Sequence, residues 1–168
     1  MRTLLSAFAL LIGLCFSGYG VAESLPAPTG KVILTVSGDI SLTNSDEGAD
    51  FDIALLESLP QHHFITATPW TEGESRYDGV LLNELLKHLN ANGQKLTAVA
   101  LNDYKVHFEL AEVKDVPVML AYKKDGQYMR VRNKGPIWIL YPMSDYPELD
   151  KPKHHANMVW QLRKLRVD

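Results

Sequence analysis

The spacing of apolar positions changes along the chain, and each change predicts an element. Lys31 to Ser37 (KVILTVS) is a β-branched apolar run closed by Gly38 and predicts a buried strand. Ser41 to Asp50 is polar and acidic and reads as a loop. From Phe51 to Leu59 apolar side chains recur at helical spacing and stop at Pro60, which predicts a short helix. His63 to Thr68 (HFITAT), ended by Pro69, predicts a second strand, and the polar Trp70 to Arg76 segment with Gly73 a loop. Val80 to Leu89 gives the clearest helical pattern. Leu82, Leu85, Leu86 and Leu89 share one face, and Asn92-Gly93 suits a left-handed stop.

Strand patterns dominate the rest. Leu96 to Leu101 is a short apolar run, and Lys105 to Leu110 alternates with Val106, Phe108 and Leu110 on one face. Val116 to Lys123 leads into Lys124-Asp125-Gly126, a hairpin turn signal, with Tyr128 to Val131 as the return arm. Ile137 to Tyr141 (IWILY) predicts a buried strand closed by Pro142, followed by a Pro- and charge-rich loop from Met143 to about Lys153. Trp160 to Val167 ends in alternation at Leu165 and Val167 and reads as an edge-like closing strand. Strands outnumber helices and do not alternate with them. The expected class is therefore α+β, a mixed sheet with a barrel-like core and a few short helices.

The first residues have a different pattern. Arg2 precedes an apolar run from Leu4 to about Phe16, and Gly20-Val21-Ala22 offers small residues before Glu23. That is the pattern of a cleavable secretory signal peptide over 1–22, with a run shorter than the about 20 residues of a membrane span. Residues 23–30 (ESLPAPTG) then read as a flexible lead-in and 31–168 as one domain, exported to the periplasm. Cys15 is the only cysteine, and bulky Leu14 before it does not suit lipidation. Cleavage after Ala22 leaves no disulfide, no thiolate nucleophile and no cysteine metal ligand. The formal net charge of −3 is not the strongly basic balance of a nucleic-acid-binding protein.

Candidate chemistry is sparse. There is no glycine-rich phosphate loop, no G-x-S-x-G elbow and no H-E-x-x-H. His62-His63 and His154-His155 are adjacent pairs whose members diverge on a strand, so they read as surface histidines. Trp70 follows a strand end beside Thr66, Thr68 and Pro69. It either stacks on a flat heteroaromatic ligand or packs into the core. Arg130, Arg132 and Lys134 are two apart and would share a face in extended chain, where they meet an anionic group or line a solvated sheet edge. Asn102-Asp103-Tyr104 reads as a turn whose side chains could also bond the edge of a pterin-like ring.

These landmarks occur together. The segments KVILTVSGDI, HFITATPW, YDGVLLNELL, AVALNDYKVHFEL, VMLAYKKDGQYM, NKGPIWILYP and WQLRKLRV appear in order. With them the chain resembles the molybdopterin-binding domain of the sulfite oxidase type, NKGPIWILYP being the most specific piece. The resemblance implies that fold and a pterin pocket. It departs at the metal: enzymes of that family hold molybdenum with a cysteine on the loop after the second strand, and Thr66 to Trp70 has none. Where those enzymes carry an arginine after the Gly-Pro motif, this chain has Trp138, behind Ile137, while Asn133 matches a cofactor-contacting asparagine. The single arginine of the leader also differs from the twin-arginine signal that enzymes with a finished molybdenum cofactor use.

The chain thus resembles the metal-free periplasmic branch of pterin-binding proteins. The resemblance implies a non-catalytic regulator that senses a pterin, contains no molybdenum, and acts on the periplasmic domain of a membrane-bound diguanylate cyclase or phosphodiesterase, so controlling biofilm formation through cyclic-di-GMP. Trp70 with Trp138 or Tyr104 would sandwich the ring. Thr68, Asn102, Asp103 and Asn133 would bond its polar edge, and Arg132 or Lys134 would line the mouth. The alternatives are a molybdopterin-dependent oxidoreductase or a subunit of one, and an interaction module that needs no ligand.

Overall fold

The computed structural model describes residues 24–168. The signal peptide expected over 1–22 lies outside the described residues. No helix among those described is long and apolar enough to cross a membrane.

Two five-stranded sheets hold the core between them. The first is built from β1 (Leu34–Gly38), β2 (Ala49–Phe51), β5 (Lys95–Ala100), β6 (Lys105–Glu109) and β10 (Leu162–Val167), in the order β2-β1-β10-β5-β6. The second contains β3 (His62–Ala67), β4 (Glu74–Leu81), β7 (Met119–Lys124) and β8 (Gln127–Tyr128) in that order, with β9 (Trp138–Leu140) also paired to β7. Only β1 and β10 run parallel; the other ladders are antiparallel. The four α-helices are short: α1 (Ile53–Glu57), α2 (Leu82–His88), α3 (Leu110–Val113) and α4 (Pro152–Asn157). The fold is α+β with two open sheets, so the expected barrel-like core is a two-sheet core.

The first sheet follows the alternation rule. Val106 and Phe108 of β6, Leu96 and Ala98 of β5, Leu162, Leu165 and Val167 of β10, and Leu34 and Val36 of β1 are all buried. Their charged neighbours face out, as in an antiparallel sheet solvated on one side. The closing strand is therefore central, not an edge. Its charges pair on the solvated face: Arg163 with Asp103 at 2.5 Å, Lys164 with Glu47 at 3.0 Å and Arg166 with Asp168 at 2.7 Å.

Other boundaries also differ from the sequence expectation. The Trp70–Arg76 loop is shorter, because β4 begins at Glu74; the expected Val80 helix begins at Leu82. The return arm after the hairpin is only the two residues of β8, and Val131–Asn133 is a turn of 3₁₀ helix. The loop beyond Met143 contains a 3₁₀ turn at Pro147–Leu149 and runs into α4, whose Pro152 sits at the first turn where its missing N–H is not needed. The Ser24–Gly30 lead-in is fastened. Asp52 caps α1 by accepting from Leu55 N at 2.8 Å, while its other oxygen accepts from Thr29 N at 2.9 Å and Gly30 N at 2.6 Å. Those donors hold the Asp52 carboxyl below its ordinary range, the Leu55 bond contributing most.

Candidate functional site

Three connections meet at one end of the two sheets: the β3–β4 loop with Trp70, the β5–β6 turn with Asn102 and Tyr104, and the segment from α4 to Trp160. They enclose a cleft of about 270 Å³ lined by Trp70, Asn102, Tyr104, His155, Met158 and Trp160, with Ala100, Ala156 and Val159. Its walls are aromatic. The Trp70 and Trp160 rings stand edge to face at 5.5 Å, His155 lies edge-on to Trp70 at 6.1 Å, and Trp138 lies behind Trp70 at 6.5 Å. All three tryptophans of the chain belong to this cluster.

Local chemistry sets each wall. The Thr68 hydroxyl accepts from Trp70 N at 3.3 Å and bonds the Thr71 hydroxyl at 2.8 Å, folding the loop so that the indole turns inward. Thr68 itself is buried and lines a neighbouring hollow with Met143, Ser144 and Asp150, which reaches the cleft through His155. Thr68 is thus a positioning residue for Trp70. Asn102 Oδ1 accepts from Tyr104 N at 3.2 Å, an Asx turn that points the phenol at the cleft. His155 is oriented by Asp150 Oδ1 at 2.6 Å.

The sequence-predicted residues divide into three groups. Trp70, Asn102 and Tyr104 line the cleft. Lys134 comes close: in the left-handed region at φ 69°, it brings Nζ to 5.4 Å from the Trp160 ring centre and 5.6 Å from that of Trp138. The others are elsewhere. Asp103 points out to Arg163, and Arg132 and Asn133 lie on the exposed 3₁₀ turn, outside the lining. Because the chain is not extended there, Arg130, Arg132 and Lys134 do not share a face.

Trp138 supports the site without offering a surface. It is 1% exposed, and its Nε1 donates to Met158 O at 3.0 Å, fixing the backbone beneath the cleft. Gly135 lets the turn pack that closely, since a Cβ there would sit 2.1 Å from Met129 O. The residues the sequence reading missed are Trp160, Met158 and His155. The two histidines do diverge, but around a helix: His154 packs 5.0 Å from the Tyr141 ring and His155 turns to Trp70. Burial, reinforced by Lys153 and Lys151, lowers the His154 pKa.

A thiolate-bound metal does not fit these residues. Cys15 is the only cysteine, and the described residues contain no group of three or more His, Cys, Asp or Glu side chains able to hold an ion. The hydroxyls where the enzymes carry their cysteine are already bonded, Thr66 Oγ1 to Ser144 N at 3.2 Å and Ala67 O at 3.0 Å, and Thr68 as described. The groups the cleft itself presents are aromatic rings and the Asn102 amide, with the Lys134 ammonium nearby.

The described residues form an α+β domain with two open sheets, a fold shared with a solved structure. Among solved structures the chain is similar to the sulfane dehydrogenase SoxCD from Paracoccus pantotrophus, with a TM-score of 0.58, 19% sequence identity and 80% of this chain aligned. The chain spans 37% of that protein's length, and at this identity the likeness shows the fold alone. A scan against protein-family models and a search of curated protein sequences both give no match.

Proposed function

We propose that this domain is a non-catalytic binding protein for a pterin or similarly flat heterocycle. The observation that carries the reading is the convergence of every tryptophan in the chain on one cleft whose donors do not suit a thiolate-held metal. A planar ring enters the cleft against the wall formed by Trp70, Trp160 and Tyr104. The Asn102 amide meets its polar edge, and the Lys134 ammonium lies at the indole side. Met158 forms the base, with Trp138 packed behind it.

Because all three fluorophores are at the site, tryptophan emission reports on it directly. Titration with a tetrahydropterin should quench emission saturably. Trp70→Ala or Trp160→Ala should weaken binding roughly 2- to 10-fold, the value of one aromatic contact of about 0.5–1.5 kcal/mol beyond burial. Quenching that does not saturate, or an affinity unchanged in both variants, contradicts the assignment.

The resemblance extends the proposal to a periplasmic regulator whose ligand state is read by the periplasmic domain of a membrane-bound cyclic-di-GMP enzyme. A ligand shifts such a contact only through its unequal affinity for the bound and unbound forms. The likeness to a sulfane dehydrogenase favours a second reading, a subunit of a molybdopterin-dependent oxidoreductase; stoichiometric molybdenum in protein purified from its native source would select it.

A further inference from the structure

The mouth of the cleft carries exposed apolar side chains, some that meet the ring and others, Leu101 and Val131, that do not. Several side chains around it are exposed although large and apolar: Leu101 at 44%, Tyr104 at 52%, Val131 at 51%, and Trp70 and Trp160 at 38% each. They belong to different loops, yet one residue joins three of these loops. Gln161 O accepts from Leu101 N, Gln161 N donates to Lys134 O, and Gln161 Nε2 donates to Val131 O, each at 2.9 Å. Gln161 holds a left-handed backbone at φ 54° to do so. The result is a fixed apolar collar around a concave opening.

The charge beside the collar is unbalanced. The described residues include five arginines. Arg76, Arg163 and Arg166 each pair with an aspartate. Arg130 and Arg132, which flank the exposed Val131, form no ion pair among the described residues. On a chain of net charge −3 these two cations stand beside the most apolar part of the cleft's surroundings.

We propose that the collar and the two arginines form a docking surface for an acidic segment of a partner polypeptide that inserts one apolar anchor toward the cleft mouth. Tryptophan, tyrosine and arginine are the residues on which interface energy concentrates, and uncompensated guanidinium groups select carboxylates. Concavity argues against a flat bilayer as the occupant, and the overall negative charge confines attraction for an acidic partner to this patch. The surface shares Trp70, Tyr104 and Trp160 with the proposed ring site, so its test uses Arg130, Val131 and Arg132, which lie outside the cleft lining.

The test is a random-peptide display selection on the purified full-length protein, with selected peptides measured by fluorescence anisotropy. Enriched peptides should carry Asp or Glu around one aromatic or aliphatic anchor. Arg130→Glu with Val131→Asp should bind them at least tenfold more weakly while retaining the wild-type circular dichroism spectrum. Arg132→Glu alone, a milder exposed change, should weaken them in the same direction. The proposal is overturned by a selection that enriches no peptide, by a basic or neutral consensus, or by peptides indifferent to both variants. Sedimentation with phosphatidylglycerol–phosphatidylcholine vesicles should leave the protein in solution; co-sedimentation lost in Arg130→Glu would reassign the patch to lipid.

Discussion

Trp70 and Trp138 are near neighbours with opposite roles, which shows how burial decides the use of a residue. Trp138 is buried and hydrogen-bonded, so Trp138→Ala should remove about 3–5 kcal/mol of stability, the range for large aromatic truncations in a core. Trp70 is over one-third exposed and shares only ring edges, so Trp70→Ala should cost about 1 kcal/mol. Urea unfolding with a common slope measures both, and equal losses would contradict the assignment of support and contact. The sequence left Trp70 open between cleft and core, and its loop of hydroxyls decided for the cleft. Trp160 was invisible because it directly precedes a strand, where one aromatic looks like packing. His155 was dismissed by a strand argument that does not apply to α4.

Among the elements, β4 was the hardest to read and α2 the easiest. The inward positions of β4 include Ser75 and Gly79, so its alternation carries no apolar signal even though Tyr77 and Val80 are buried. A Cβ on Gly79 would lie 2.2 Å from Leu120 O, at the register shift against β7, and that close approach is not encoded locally. Pro60 marked the limit of α1, which ends at Glu57, but the tie that Asp52 makes to the lead-in was not legible. That tie sets an expectation for pH. A carboxyl held below its ordinary value stabilises the fold fully above about pH 4, and the contribution is lost as pH falls through the folded-state value. Asp52→Asn should therefore lower the urea midpoint at neutral pH, and its deficit against wild type should shrink as pH falls below about 4. A deficit independent of pH would show that the charge has no part in fastening the lead-in.

At the scale of the whole molecule, class and strand content were legible, while the placement of strands was not. The alternation at Leu165 and Val167 suggested an edge, yet β10 lies at the centre of the first sheet between a parallel β1 and an antiparallel β5. Its antiparallel pairing with β5, Leu162 opposite Ala100, brings the α4–Trp160 segment beside the β5–β6 turn. The cleft is a product of this topology, since its walls lie at positions 70, 102–104 and 155–160. Nothing local in any one of them marks a site.

The central claim is that the three indoles line or support one pocket for a planar ring. The most direct measurement is a two-dimensional ¹⁵N–¹H spectrum of the indole N–H groups during titration with a tetrahydropterin. Trp70 and Trp160 should shift together along one saturable curve. Trp138, with its N–H bonded to Met158 O, should move least. Three unmoved indole signals at saturating ligand, or a shift confined to Trp138, would contradict the account.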